Sequence, residues 1–295
     1  MKIYLEPFGG LCNRMRAISS VYELAELMGA KLIVRWISDD DLFCPSEALF
    51  TLPEQVKIEN YRCMNSVDLY KIKIQRGILK LLCHGVIRDD TIISVRGTDK
   101  KGIDAVGICN NKKNIFLRTC ESLREDFYNN DYSIFHHNED RVQEAKKMIL
   151  NISDGGQYRV IGLHIRRTDN TVAIASSATK YYFEIIDALI RKNENVRFYL
   201  ATDSVEEKKS FYDKYNNDGQ RIIFTSENTV LERNSVDGMK AAYQELLCLS
   251  YTDRILGSFY SSYSSVAAAL NKKRIDLVNS ESVSRILNEV ENGIF

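Results

Sequence analysis

The run Val160-Ile161-Gly162-Leu163-His164-Ile165-Arg166-Arg167-Thr168-Asp169 decides how this chain is read. Its first half is apolar and reads as a buried strand. Its second half carries a histidine, two arginines and an aspartate. Charges that leave a core must be paired or must hold a ligand. In an open α/β sheet, ligands sit at the carboxyl ends of the strands. Adjacent guanidiniums offer planar, paired donors, so the ligand they fit is an anion, most simply a phosphate or diphosphate. A plain surface ion pair between Arg and Asp is the competing reading of this run taken alone.

Outward from that run, the C-terminal half alternates regularly. Strands are expected at 159–165, 196–201, 221–225, 253–257 and 274–278. Helices are expected at 179–192, 205–216, 237–251, 262–271 and 281–291, which together make a doubly wound α/β domain. Toward the N-terminus, an apolar run from Ile3 to Phe8 meets a Gly9-Gly10 turn. A helical pattern from Asn13 to Met28 follows, with Met15, Ile18, Val21, Leu24 and Met28 at helical spacing and Gly29 as its C-cap. The strand Lys31 to Trp36 completes a βαβ unit and therefore a parallel sheet. Between 38 and 155 the pattern is weaker. Strands are expected at 56–60, 92–95 and 114–118 and a helix at 139–150. Asp154-Gly155-Gly156 is the linker candidate, which sets lobes of 1–155 and 156–295. The fold class is α/β, with two Rossmann-like lobes facing a cleft and the C-terminal lobe the more regular.

Composition narrows the function classes. The 295 residues are 44% hydrophobic and 27% charged, as in an ordinary soluble domain. Forty Lys plus Arg balance forty Asp plus Glu, so the basic excess of a general nucleic-acid binder is missing. Glu6 and Gly9-Gly10 come too early for a signal-peptide core. Seven scattered cysteines without a C-x-x-C pair fit a reducing cytoplasm. The stretch from Lys71 to Lys80 has four cations, no acid, and interleaved Ile72, Ile74, Ile78 and Leu79. It reads as an amphipathic element with a solvated basic face, or else as a peripheral contact with the inner face of a membrane. The four histidines form no H-x-x-x-H pair. His136-His137 reads as solvated in a polar loop, and Asp39-Asp40-Asp41 as a solvated acidic loop. No metal site is expected.

Four strand ends converge on candidate site residues. Gly9, Gly10, Asn13 and Arg14 lie between the first strand and first helix, where backbone and helix N-terminus can approach an anion. A tight turn with Asn13 as helix cap is the alternative. Asp203 follows Tyr199-Leu200-Ala201-Thr202 and reads as the cap of helix 205–216, with a second role of positioning an arginine. Ser258, Ser261 and Ser262 join strand 253–257 to a helix of small residues and offer hydroxyl and N–H donors. Glu245, inside helix 237–251, has the acceptor geometry for the paired N–H donors of guanine if it faces the crevice.

His164-x-Arg166-Arg167-x-Asp169, then Ala201-Thr202-Asp203, then the Ser-rich 258–265 resemble, in order and spacing, the GDP-fucose-dependent fucosyltransferases of the α1,6 and rhizobial nodulation type. The α1,2- and O-fucosyltransferases are more distant. The resemblance covers 160–270, is weaker over 1–36, and is absent over 38–155. It implies a GT-B-like pair of lobes, an acceptor-side N-terminal lobe, a donor-side C-terminal lobe, no metal or other cofactor, and inversion at the sugar carbon. It implies that Arg166 contacts the β-phosphate of GDP-fucose and that His164 lies near the guanosine, with Arg167 beside them. Ser261 or Ser262 would hold phosphate oxygens, Glu245 would meet guanine, and Asp203 would stand as the family's carboxylate. The chain departs from the pattern at Ile174, where the α1,6 enzymes carry a Glu, leaving as base either Asp169, the nearest carboxylate, or an acid of the N-terminal lobe. The expected function is a metal-independent, inverting glycosyltransferase that transfers fucose to a glycan. Another nucleotide-sugar donor and a non-catalytic GDP-sugar-binding protein are the alternatives.

Overall fold

The computed structural model describes residues 1–83, 85–88, 113–123, 129–192, 194–216, 221–226 and 234–295. They form two compact units, Met1–Asn138 with Glu232–Lys240, and Glu139–Leu231 with Ala241–Phe295.

The first unit is built on a parallel sheet. Its elements are β1 (Lys2–Pro7), α1 (Leu11–Leu27), β2 (Lys31–Ser38), β3 (Phe50–Thr51), β4 (Lys57–Arg62), α2 (Ser66–Leu82), β5 (Gly85–Arg88), β6 (Asn114–Thr119) and β7 (His136–His137). The strand order is β4-β2-β1-β6-β5, and these neighbours pair in parallel. Burial explains the order. Ile3 and Leu5 of β1 are fully buried, as are Val34 and Trp36 of β2, and α1 covers them with Met15, Ile18, Val21 and Leu24. The apolar and basic stretch after residue 64 is the helix α2, started by Asn65, whose side chain accepts from the Val67 and Asp68 amides. Strand β5 was not anticipated, and the strand expected at 92–95 lies outside the described residues. His136 and His137 are not in a loop: they pair antiparallel with Thr51 and Phe50.

The second unit contains α3 (Glu139–Ile152), β8 (Arg159–Ile165), α4 (Thr171–Ser176), α5 (Thr179–Arg191), β9 (Val196–Thr202), α6 (Val205–Tyr215) and β10 (Ile223–Phe224). It continues with α7 (Val236–Tyr251, counted with the first unit up to Lys240), β11 (Arg254–Ser258), α8 (Ser262–Leu270), β12 (Arg274–Val278) and α9 (Ser282–Glu291). Strand order is β10-β9-β8-β11-β12, again parallel throughout. The core joins Ile161, Leu163 and Ile165 of β8 to Phe198 and Leu200 of β9, under Tyr182, Ile185 and Ile186 of α5 and Ile286 of α9. The chain runs outward from β8 to β9 and β10, then returns to β11 and β12 on the other side. The point where it reverses lies between β8 and β11, where doubly wound sheets place their ligands.

The alternation expected after 156 matches these elements closely. The Asp154-Gly155-Gly156 run plays another part than linker. Its three residues have φ of +51°, +67° and +97°, and the turn folds the end of α3 back into β8. Arg197 of β9 donates to the Ile152 carbonyl at 2.8 Å, so α3 belongs with the second sheet. The boundary between the units therefore falls at 138/139, ahead of that helix, rather than at 155/156.

Candidate active site

Strands β8 and β11 end side by side, with Gly257 opposite His164. The Arg166 amide donates to Ser258 Oγ at 3.0 Å, and the Ser258 hydroxyl donates to the His164 carbonyl at 3.1 Å. Tyr182 Oη, rising from α5, lies 3.3 Å from both that carbonyl and the Ser258 hydroxyl. Burial pushes the Tyr182 phenol up to about 12, so it remains a donor. Ser258 was expected among the donor-binding residues. It is instead fully buried and its hydroxyl is committed to fixing the start of the arginine pair.

The two arginines diverge. Arg166 lies between two carboxylates: Nη1 is 2.8 Å from Asp203 Oδ2, and Nη2 bonds Asp169 Oδ1. Arg167 turns into the protein. Its Nε meets Glu207 at 2.6 Å, Nη1 meets the Arg166 carbonyl at 2.9 Å, and Nη2 meets the Ser177 carbonyl and Thr179 hydroxyl, each at 2.9 Å. Every guanidinium nitrogen is occupied, which removes Arg167 from the expected ligand set and makes it a clamp between β8, α5 and α6.

Asp203 organises the turn. It accepts from the Arg167 amide at 2.7 Å, from the Thr168 hydroxyl at 2.7 Å and from Arg166. It does not cap α6; Ser204 does, accepting from the Glu207 amide at 3.2 Å. Asp169 holds Arg166 and is the more exposed of its two partners. Ile174 sits half-buried on α4, whose N-cap Asn170 accepts from the Ala173 amide.

His164 is buried and stacked on Tyr263, ring centroids 4.8 Å apart, with Nδ1 lacking a partner. Burial, reinforced by Arg166, pulls its pKa down to about 3, so the imidazole is neutral. Gly257 lets α8 start against β11, because a Cβ there would stand 2.4 Å from Ser264 Oγ. Ser261 is the N-cap of α8 and makes no side-chain capping bond, while Ser262 opens the helix. Beside them Tyr260 is exposed with φ of +56°, and its carbonyl accepts from Asn170 at 2.9 Å. A left-handed non-glycine residue costs on the order of 1–3 kcal/mol, so the surrounding turn must hold it. Glu245 is buried on α7 with Lys208 Nζ 3.9 Å from its carboxylate.

The residues expected from the first strand end behave differently. Gly10, not Asn13, is the N-cap of α1. Gly9 takes φ of +77° at the turn. Arg14 is fully buried, donating to the Gly9 carbonyl at 2.6 Å, to the Ile37 carbonyl, and to Asp39 at 2.7 Å. Its guanidinium therefore ties the first turn to the end of β2 and is not offered to a ligand. Asp39 of the acidic run is its partner. Glu207, Thr179, Tyr182 and Tyr263 were not picked out from sequence. Only Glu207 carried a signal, the S-x-x-E spacing from Ser204.

No family model and no curated sequence matches the chain. Solved structures do. The fucosyltransferase NodZ from Bradyrhizobium superposes with a TM-score of 0.55 at 13% identity, over 90% of this chain and 90% of that one. A GDP complex of an Arabidopsis thaliana FUT1 mutant gives 0.54 at 14% identity, over 93% of this chain and 69% of that one. POFUT1 in complex with GDP-fucose gives 0.52 at 10% identity, over 94% and 96%. The chain is thus similar in fold to these three fucosyltransferases.

Proposed function

We propose that the chain is a metal-independent, inverting glycosyltransferase that moves fucose from GDP-fucose to a glycan hydroxyl. The observation that carries the reading is Arg166. Its guanidinium stands at the reversal point of the second sheet, oriented by Asp203 and Asp169, in a chain that shares its fold with transferases solved with GDP-fucose and GDP. As the sugar leaves through an oxocarbenium-like state, negative charge grows on the departing diphosphate. Arg166 and the start of α8 oppose that charge without a metal ion. His164, neutral and stacked on Tyr263, borders the nucleoside, and the Glu245 carboxylate prefers guanine, whose edge presents two adjacent donors. Asp169 orients the arginine, and the second unit takes the donor while the first receives the acceptor.

Calorimetry with GDP, ADP and UDP, joined to transfer assays in excess EDTA, tests this reading. GDP is expected to bind tightest, EDTA to leave transfer intact, and Arg166→Lys to lower transfer about 100-fold, as expected when one oxyanion donor is lost. Tighter binding of UDP or ADP than GDP would remove the fucose reading. A second reading, a nucleotide-sugar-binding protein without transfer, is favoured by Ile174 and by the commitment of Asp169 to Arg166. Hydrolysis of GDP-fucose without acceptor separates the two.

Among the described residues, no helix is long and apolar enough to cross a membrane. Peripheral contact has support from α2, on which Val67, Tyr70, Ile74, Ile78 and Leu81 are exposed at spacings of three and four residues beside Lys71 and Lys73.

A further inference from the structure

Glu6 lies near the carboxyl end of β1 and is buried. It pairs in register with Arg118 of β6, and Arg35 of β2 stands beside it and pairs with Glu59 of β4. Laterally adjacent residues of a parallel sheet point to one face, so Glu59, Arg35, Glu6 and Arg118 form a single row. Arg76 enters the row from α2. Its Nη2 is 2.6 Å from Glu6 Oε1, Arg118 Nε is 3.2 Å from the same oxygen, and Arg35 Nε is 3.9 Å from Oε2. Glu59 is paired with Lys57 at 2.6 Å. Among the described side chains, four cations therefore face two carboxylates, a surplus of two positive charges.

Arg118 and Lys57 are partly in water, whereas Arg35 and Arg76 are largely withdrawn from it. The Arg35 side chain is 1% exposed, with its guanidinium 4.7 Å over the Tyr61 ring. Arg35 Nε and Nη2 and Arg76 Nε are buried without a hydrogen-bond partner. Buried donors are satisfied as a rule, and a buried charge without its counterion is expensive. One arginine would suffice to tie α2 to the sheet; three do not follow from packing. The second unit gives the contrast. There Arg254, Arg274 and Arg285 share two carboxylates, Asp276 and Glu289, and two of the three guanidiniums are half in water.

We propose that the Arg35–Arg76–Arg118 cluster is a binding site for a phosphoryl group. Three guanidiniums match three phosphate oxygens, and the surplus of two charges matches a phosphate monoester near neutral pH, which carries about −1.5 to −2. Arg118, the most exposed of the three, is the point of entry, and Arg35 lies deepest. If the first unit receives the acceptor, an assignment that rests on the proposed function, that acceptor is a phosphorylated saccharide.

The test is a titration of the full chain with inorganic phosphate against chloride at matched ionic strength, read by melting temperature, with and without GDP to fill the second unit. Phosphate is expected to raise the melting temperature of the wild type under both conditions. Arg118→Gln and Arg76→Gln, checked for folding by circular dichroism, are expected to weaken the apparent phosphate affinity at least tenfold. Subtracting the variants removes the general stabilisation that phosphate gives any protein. An identical response in wild type and both variants, or no response, overturns the site. Glucuronate, with one charge, is expected to bind less well than phosphate, and tighter glucuronate binding overturns the phosphoryl assignment. A hexose 1-phosphate that binds at least as tightly as inorganic phosphate supports the saccharide acceptor, and tenfold weaker binding overturns that part. None of these titrations needs a sugar donor, so their failure leaves the transferase reading standing, and missing GDP binding leaves the phosphate result standing.

Discussion

Arg166 and Arg167 are neighbours in sequence and do opposite work, because one peptide step at the end of β8 sends one guanidinium to the sheet edge and the other into the protein. Replacing Arg167 is therefore a stability experiment. Arg167→Ala leaves the half-buried Glu207 carboxylate without its cation and should cost about 1–3 kcal/mol in urea unfolding. Asp169→Asn should act on the ligand instead, weakening GDP binding together with turnover, while unfolding changes by less than about 1 kcal/mol for so exposed a pair. His164 adds a pH dependence with a definite sign. Its pKa falls from 6.5 to about 3 on folding, so the unfolded chain binds the extra proton between those values. Stability is then full above pH 6.5 and declines as pH falls toward 3. Between pH 7 and pH 5 this residue should account for about 2 kcal/mol, and His164→Gln should flatten the pH dependence of urea unfolding by that amount. His137, lowered to about 4 by burial, contributes with the same sign and remains in the variant. The arginine pair was legible because charges at the end of an apolar run are conspicuous. From residue types alone, which arginine faces outward was not, because Glu207 and Thr179 meet Arg167 from 40 and 12 residues further along the chain; only the resemblance singled out Arg166. Arg14 misled for the same reason: a helix-start arginine suggests an anion until Asp39 and the Ile37 carbonyl are seen around it.

Among the elements, close approach of α8 to β11 sets the position of the Ser261–Ser262 turn. Gly257→Ala would press a methyl group onto Ser264 and should destabilise by about 1–3 kcal/mol. It should also weaken GDP binding, since the helix start moves with the strain; unchanged affinity in calorimetry would separate α8 from the donor site. The second sheet was readable almost strand by strand, because its strands have apolar cores and helices such as α5 and α9 carry a clear apolar stripe. Elements held by few local contacts were missed. Helix α4 has six residues and depends on Asn170 for its start. Strand β7 has two residues and exists through pairing with β3. The 154–156 turn looked like a linker because glycines mark both linkers and helix ends, and only the bond from Arg197 to Ile152 tells them apart.

On the scale of the whole molecule, a net charge of zero conceals local imbalance. Basic residues flank the exposed apolar stripe of α2, which predicts co-sedimentation with vesicles rich in phosphatidylglycerol and little with phosphatidylcholine alone. Ile74→Asp combined with Ile78→Asp should abolish it without affecting GDP binding; equal pelleting of variant and wild type would detach α2 from the membrane. The row of charges across the first sheet could not be read from sequence. Glu6, Arg35 and Arg118 meet only through strand register, and Arg76 joins them only through the packing of α2.

The pinning of Arg166 between Asp203 and Asp169 has a kinetic side. A free arginine samples many rotamers, and holding it still costs up to about 2 kcal/mol of conformational entropy. Folding has already imposed that order. Under the proposed function, an arriving diphosphate would meet a donor fork that is in place before contact, and capture would need no search among side-chain conformers. Asp203→Asn would keep the positive charge of Arg166, remove the neighbouring negative charge and lose this readiness, and its signature would be a slower association rate despite stronger net attraction.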